Sequence, residues 1–503
     1  MQKAEVILSL LSQKARNDEN FVFRRLYRNL FNPDFYSYSY RQWCRLQGNS
    51  MARDSEKMSG FNTAMVDTII QKMKSETYYP KSASHVRPNK GIKLPYFESP
   101  ALEDHLVQEA LRLMLEAIYE PGFLDTSHGF RPNRGCHTIL YQIKTECKKA
   151  NWVFQGEIES LFEQINSDIL IYLLRKRIDD GRLLELIRRF LHAGLTKCKQ
   201  GDCDYSGVPQ CSGINCLLVN IYLHELDLFM QQTIDMYIDP KQTDSDDFRV
   251  CKPKERIQYF RYSDRFIVCV TGPKRIAESL RNQIQSFLKQ HLALELNLEK
   301  SRISNLAHER VRFLGYDIKK TVCFSGKPQT RQNAKKKSYA ETIQLLVPNE
   351  VIRKAVNPFC QNGKPVYHNA RIHLPLPELI EQYNFEIRRL YRYYCLAADV
   401  SAKLNKFRYY HYYSLVKTIS KKEKCSVKKI LHRYGIDVKR KQGTGTKKLL
   451  GVRYRTKNGQ EKLVTYFNDP LKKKERPDQT ACDDLFNAEF GMDRFRCSNR
   501  KSS

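Results

Sequence analysis

No apolar run in this 503-residue chain approaches the roughly 18 residues that a membrane-spanning helix requires. The opening Met1-Gln2-Lys3-Ala4-Glu5-Val6-Ile7-Leu8 is a short amphipathic start, and no signal-peptide pattern follows it. A membrane partner is therefore not expected. The fifteen cysteines contain no Cys-x-x-Cys pair, and the closest groupings, Cys198/Cys203 and Cys211/Cys216, come with no suitably spaced His pair. That pattern argues against a zinc centre and for reduced thiols in an intracellular, cytoplasmic protein. Acid is the scarcer charge, with 55 Asp and Glu against 86 Lys and Arg and a net charge of +31. Residues 321–503 hold 39 Lys and Arg against 16 Asp and Glu, so +23 of the +31 lies there. A surplus this large and uneven implies a polyanion partner, and nucleic acid suits it better than a lipid surface.

The length predicts two or three domains with sizeable cores. One stretch organises the rest: Tyr259-Phe260-Arg261-Tyr262-Ser263-Asp264-Arg265-Phe266-Ile267-Val268-Cys269-Val270. Apolar runs on both sides of a short polar trio predict a β-hairpin that lifts the Asp264 carboxylate to its tip, either as a functional group or as an ordinary turn residue. Upstream, Trp152-Val153-Phe154-Gln155 predicts a strand that carries Glu157 at its end, as a metal ligand on a sheet rim or as a solvated side chain. Ser127-His128-Gly129-Phe130-Arg131-Pro132-Asn133-Arg134-Gly135 places two arginines in a glycine-lined turn ahead of a helix starting near Thr138. Such a turn either grips a phosphate strand or is purely structural.

Helical spacing predicts helices over 4–32, 61–76, 101–118, 214–234 and 275–292, with a further face through Phe162, Ile165, Ile169 and Leu173. Four prolines make 81–100 irregular. Residues 319–372 are polar and broken by Gly and Pro, and read as a linker. From Leu376 the chain is helical and basic, and Ser426 is placed to cap a helix. There the tyrosines alternate with Lys and Arg, either to stack on RNA bases or to fill a helical core. Residues 447–467 alternate like two strands around Asn458-Gly459.

Together these stretches resemble the proteins encoded by group II introns, reverse transcriptases that also act as splicing maturases. The likeness runs unbroken over about residues 20–435. Ser127 to Leu140 is similar to that family's fingers motif. Gly207-Val208-Pro209-Gln210 with Asn220-Ile221-Tyr222-Leu223-His224-Glu225-Leu226-Asp227 resembles its primer- and template-handling motif. Phe313-Leu314-Gly315 looks like the palm's closing strand, and 376–435 is similar to the RNA-gripping thumb, or X, domain. The resemblance implies an α+β right-hand fingers–palm followed by an α-helical thumb. The expected divisions are 1–90 (extension and start of fingers), 91–318 (fingers and palm), 319–372 (linker), 373–435 (thumb/X) and 436–503 (basic region with a short hairpin and tail). No Cys/His-rich nuclease segment is expected after them.

By the same resemblance, Glu157, Asp264, Arg265 and Lys300 stand at the polymerase positions, with Glu157 and Asp264 as the metal ligands. RNA contacts fall to Arg131, Arg134 and Gln210, and in the thumb to Arg388, Arg389, Arg392, Lys406, Arg408, Lys417, Lys428 and Lys429. The departures matter as much. Family members carry Tyr-Ala-Asp-Asp where this chain has Tyr262-Ser263-Asp264-Arg265, and Asp where it has Glu157. The basic fingers hairpin is shortened to Arg87-Pro88-Asn89-Lys90-Gly91-Ile92-Lys93-Leu94-Pro95, and the triphosphate-holding arginine has no clear counterpart. Polymerase chemistry needs two Mg²⁺ held about 3.5–4 Å apart by clustered carboxylates. Arg265 instead puts a cation where an anion belongs. The expectation is an RNA-binding maturase-like protein that assists splicing of structured intron RNA, with DNA as a secondary partner. No cofactor is required, and Mg²⁺ enters only if polymerase activity survives. The alternatives are an active but unusual RNA-directed DNA polymerase using Glu157 and Asp264, and a domesticated RNA-binding scaffold.

Overall fold

A computed structural model describes residues 2–46, 61–80, 84–86, 97–99, 102–195, 213–238, 255–324, 339–439, 445–455 and 459–477. These residues fall into two units, the first formed by 2–135 with 150–304 and the second by 136–149 with 305–477. Among the described residues no helix is long and apolar enough to cross a membrane.

The first unit begins with helices α1 (Ala4–Asn17), α2 (Pro33–Leu46), α3 (Thr63–Lys74) and α4 (Leu102–Tyr119). The single helix expected over 4–32 is broken. Phe23–Arg24 is extended because it pairs in parallel with Ile178–Asp179, and Arg25 turns through the left-handed region at φ 56° before a 3₁₀ turn over Leu26–Phe31. Asn62 caps α3 by accepting a hydrogen bond from the Met65 amide. Within 81–100, Ser84–Val86 and Phe97–Ser99 form a short antiparallel pair.

Helix α5 (Cys136–Glu146) belongs to the second unit. The first unit resumes with β1 (Trp152–Glu157), α6 (Ser167–Arg175), α7 (Gly181–Leu195), α8 (Gly213–Ile238), the hairpin β2 (Arg256–Tyr262) and β3 (Arg265–Thr271), α9 (Lys274–Leu292) and β4 (Arg302–Asn305). The helical face expected through Phe162 and Leu173 is interrupted at Asn166, whose side chain accepts from the Asp168 and Ile169 amides and starts α6 afresh. The strand order is β2-β3-β1-β4. Strand β3 is central, and Phe266, Ile267, Val268, Cys269 and Val270 are all buried because helices and loops cover both faces. Helix α8 packs on β2 and α9 on β1. Helix α8 is buried on every side from Ile214 to Leu223 and open further on, where Leu228 and Met236 are exposed, whereas α9 buries Ile276, Leu280, Ile284 and Leu288 in a single stripe.

In the second unit, β5 (Val311–Phe313), β6 (Tyr316–Phe324) and β7 (Tyr339–Leu346) form one sheet, on which α5 packs. The described parts of the expected linker, 319–324 and 339–372, are therefore folded. Strands β6 and β7 pair in register from Asp317↔Leu346 to Phe324↔Tyr339, and α10 (Asn349–Val356) follows. Ile318 on β6 and Ile343 and Leu345 on β7 are buried between polar residues, a period-two signal that the lysines Lys319 and Lys320 obscure. Phe313-Leu314-Gly315 also lies here. The Leu314 and Gly315 carbonyls accept from the Tyr393 and Tyr394 hydroxyls at 2.7 and 3.1 Å, and a Cβ on Gly315 (φ 71°) would sit 3.2 Å from the Tyr393 hydroxyl. The helices are α11 (Leu376–Tyr394), α12 (Val400–Lys422) and α13 (Val427–Arg433), the last capped by Ser426 as its sequence predicts. Strands β8 (Gly435–Lys439), β9 (Thr446–Arg455) and β10 (Glu461–Thr465) make a final antiparallel sheet that includes the expected strand pair around Gly459.

Candidate active site

Strand β1 delivers Glu157 directly opposite Arg265, the first residue of β3. The β2–β3 connection is a two-residue turn of Ser263 and Asp264, because Tyr262 and Arg265 are already paired. Ser263 adopts a left-handed φ of 55° to close it. The Asp264 carbonyl accepts from the Ile158 amide at 2.9 Å, which ties the turn to the end of β1. The segment after α9 completes the rim. The Asn297 amide donates to the Glu157 carbonyl at 2.8 Å, Ser301 Oγ accepts from the Glu157 amide at 3.2 Å, and Asn297 Oδ1 accepts from the Lys300 amide at 3.0 Å. This scaffold brings Glu157, Asp264, Arg265 and Lys300 together, as the family resemblance implies.

The side chains then set the electrostatics of the site. Lys300 Nζ donates to Glu157 Oε1 at 2.6 Å, and Arg265 Nε lies 3.2 Å from Glu157 Oε2. Both carboxylate oxygens thus face cations. Asp264 retains some solvent contact, but its Oδ1 is buried and accepts no hydrogen bond. Burial, opposed by Arg265 and reinforced by Glu157, pushes the Asp264 carboxyl up from its usual range to about 6.

A two-metal centre does not fit these groups. Mg²⁺ requires free carboxylate lone pairs in near-octahedral order at about 2.0–2.1 Å, and Glu157 has its oxygens engaged by an ammonium and a guanidinium. Either cation would also repel the ion. Among the described residues no cluster of three His, Cys, Asp or Glu is arranged to hold a metal.

Behind the turn lies a network that the sequence reading missed. Arg261 and Asp227 are both completely buried and joined by two bonds, Nε to Oδ1 at 2.7 Å and Nη2 to Oδ2 at 2.6 Å. Arg261 Nη1 donates to Asn220 Oδ1 and to the Ser263 carbonyl, each at 3.2 Å, and Nη2 donates to Ser127 Oγ at 2.8 Å. Tyr259 Oη donates to Asp227 Oδ1 at 2.9 Å, and Asn220 Nδ2 to the Gly129 carbonyl at 2.8 Å. A Cβ on Gly129 would lie 2.5 Å from the Ser263 amide nitrogen, so only glycine allows that approach. The Ser127–Gly129 turn, the Asn220–Asp227 face of α8 and the hairpin are thus one structural unit. The available signal was a lone arginine in the apolar run Tyr259-Phe260-Arg261-Tyr262. Asn220 and Asp227 stand two helical turns apart, on one face.

Both arginines of the fingers turn have partners within the protein. Arg131 is buried, pairs with Glu120, and donates to the Leu124, Ser127 and Phe123 carbonyls, so its donors are engaged inside the fold. Arg134 bonds the carbonyl and the carboxylate of Asp125. Gln210 lies outside the described residues. In the second unit Arg392, Lys406, Lys428 and Lys429 are exposed, while Arg389 and Arg408 are half-buried. Arg388 lies 3.7 Å from Glu381, and Lys417 donates to the Pro365 carbonyl at 2.7 Å.

Comparison with known proteins agrees with this architecture. The family model for reverse transcriptase (RNA-dependent DNA polymerase) matches residues 98–318, and that for type II intron maturase matches 341–479. The group II intron-encoded protein LtrA of Lactococcus lactis subsp. cremoris is 32% identical over 515 residues, covering 92% of this chain and 84% of its own. The chain belongs to the group II intron-encoded protein family. An uncharacterized 91 kDa protein in the cob intron of Schizosaccharomyces pombe is 28% identical, over 92% of this chain and 61% of its own. The solved telomerase of Candida albicans is 12% identical, with a TM-score of 0.32 over 64% of this chain and 54% of its own. This member of the intron-encoded family thus has a reverse-transcriptase region followed by a maturase region. The maturase match begins within β7, upstream of the thumb boundary expected at 373.

Proposed function

We propose that this group II intron-encoded protein binds structured intron RNA and assists its splicing, and that its reverse-transcriptase site no longer polymerises. The observation that carries the reading is the clasp on Glu157, whose two oxygens face Lys300 and Arg265. A polymerase palm must offer carboxylate oxygens to divalent ions, and here the protein's own cations take that place. The intron RNA supplies its own transesterification chemistry. The protein supplies charge and ring surfaces that hold the RNA in its reactive shape, for which the basic second region is suited.

Primer extension tests the negative half. Purified protein on a primed RNA template with dNTPs and Mg²⁺ or Mn²⁺ is expected to yield no cDNA. Robust incorporation that Asp264→Asn abolishes would falsify the loss of polymerisation. The positive half is tested by sequencing RNA that copurifies with the protein and assaying its splicing with and without added protein. Acceleration of splicing is expected, and RNA with no intron sequence would favour the scaffold reading instead.

A further inference from the structure

The tyrosines of the second unit range from fully buried to open. Tyr383, Tyr393, Tyr394 and Phe407 are buried and form its core with Phe359 and His411. Tyr409 is 53% exposed and Tyr413 37%, although both lie on the same helix, α12. Their ring centroids are 5.0 Å apart. With 3.6 residues per turn, Lys406, Tyr409, Tyr413 and Lys417 fall within about 80° of arc and so form one stripe along the helix. Towards its C-terminal end the stripe runs into a groove of about 560 Å³ lined by Tyr367, Lys417, Ser420, Lys421 and Lys424. Tyr367 is 44% exposed, and Lys421 Nζ lies 5.7 Å from its ring centre. The nearest acid in sequence, Glu423, is bound to Arg433 and Tyr434, so it does not neutralise these lysines.

We propose that Tyr409 and Tyr413 are a stacking platform for unpaired bases of single-stranded RNA, with Lys406, Lys421 and Lys424 holding the flanking phosphates. This rests on the RNA-binding reading above and adds which form of RNA is taken. The open part of each ring offers a surface on which a base can stack, worth about 1–3 kcal/mol per base. A duplex cannot use them, because its bases are stacked on one another and its deep major groove is closed to side chains. Lysines without a local acid favour a polyanion over an apolar partner.

Fluorescence anisotropy of the full-length protein with a labelled 12-nucleotide single strand, and with a 16-base-pair RNA duplex, tests this. The double variant Tyr409→Ala/Tyr413→Ala is expected to bind the single strand about thirtyfold more weakly or worse, with its salt slope unchanged and duplex binding little altered. Tyr409→Phe/Tyr413→Phe is expected to restore binding, since the ring faces remain. Lys406→Ala/Lys421→Ala is expected instead to lower the log–log salt slope by roughly 0.7 for every phosphate that the variant no longer neutralises. The platform is overturned if the alanine pair binds the single strand like wild type, or weakens strand and duplex equally. It is overturned too if polyglutamate displaces the strand from wild type and the alanine pair alike, because the surface is then only a charge patch. Wild type that binds neither RNA overturns the RNA-binding reading itself. A wild type that binds RNA without need of the rings overturns the platform alone.

Discussion

The hairpin of the first unit and helix α12 of the second use the same residue types in opposite ways. Around the hairpin, Arg261, Arg265, Lys300, Arg131 and Arg134 all meet acids or carbonyls of the protein itself. Along α12 and α13, Lys406, Lys421, Lys428 and Lys429 are exposed. The rings follow suit: Tyr259 and Tyr262 are core, whereas Tyr409 and Tyr413 are open. A basic composition therefore does not locate a nucleic-acid surface by itself. What matters is whether each cation already has an anion of its own, and the two regions answer differently.

The largest way to break the comparison is at the buried pair. Arg261→Met leaves the Asp227 carboxylate without its partner inside the fold, and removal of one member of such a pair costs about 3–5 kcal/mol. Chemical denaturation should show that loss for the first unit. Arg261→Met/Asp227→Asn should recover most of it, since no uncompensated charge remains. A single variant as stable as wild type would mean that the network does not hold the hairpin in place.

Next in size is Arg265→Asp, which restores the family's acid. It places three carboxylates at the turn with only Lys300 opposed, and is expected to destabilise the protein by about 1–3 kcal/mol in EDTA. Mg²⁺ should recover part of the loss by binding the folded state, and should recover more after Glu157→Asp is added. A wild-type Tm in EDTA, or equal Mg²⁺ shifts in wild type and variant, would count against the clasp.

A smaller effect is expected at Asp264. Its carboxyl is raised in the fold from 3.8 to about 6, chiefly by burial, so the native state holds a proton that the unfolded chain releases. Between those values the native state binds more protons, and stability falls as pH rises through the window, then levels off above it. Asp264→Asn should remove that fall and stabilise the protein at pH 8 by about 1–2 kcal/mol. Thermal melts at pH 4.5, 6 and 8 provide the check. A variant less stable than wild type at pH 8 would show that the ionised carboxylate is needed where it stands.

The hairpin and the strand carrying Glu157 were legible because apolar runs on both sides of a polar trio leave little choice of structure, although the tip is one residue shorter than that trio because Arg265 already pairs with Tyr262. The alignment of Glu157 with Arg265 was legible only through the family resemblance, since local pattern does not give strand register between distant segments. Arg131 shows the limit. Its place in a glycine-rich turn fits a phosphate grip and a structural tie equally well, and only the fold supplies Glu120 and three carbonyls as its partners. The β6–β7 pair was hidden because one polar face of a half-buried hairpin reads as loop.

The smallest effect sharpens the comparison most directly. If exposure and lack of an acid decide which cations meet RNA, Lys428→Ala/Lys429→Ala should lower the log–log salt slope of single-strand binding by roughly 0.7 for each phosphate left without its lysine. Arg134→Ala should leave that slope unchanged, although it removes one positive charge, because its guanidinium already bonds Asp125. Its cost should appear in stability alone, within the roughly 0–1 kcal/mol of a surface ion pair. Anisotropy titrations from 50 to 300 mM KCl on the three proteins separate the cases. A slope that falls for Arg134→Ala by about half as much as for the lysine pair would mean that net charge governs the affinity and that partnering does not.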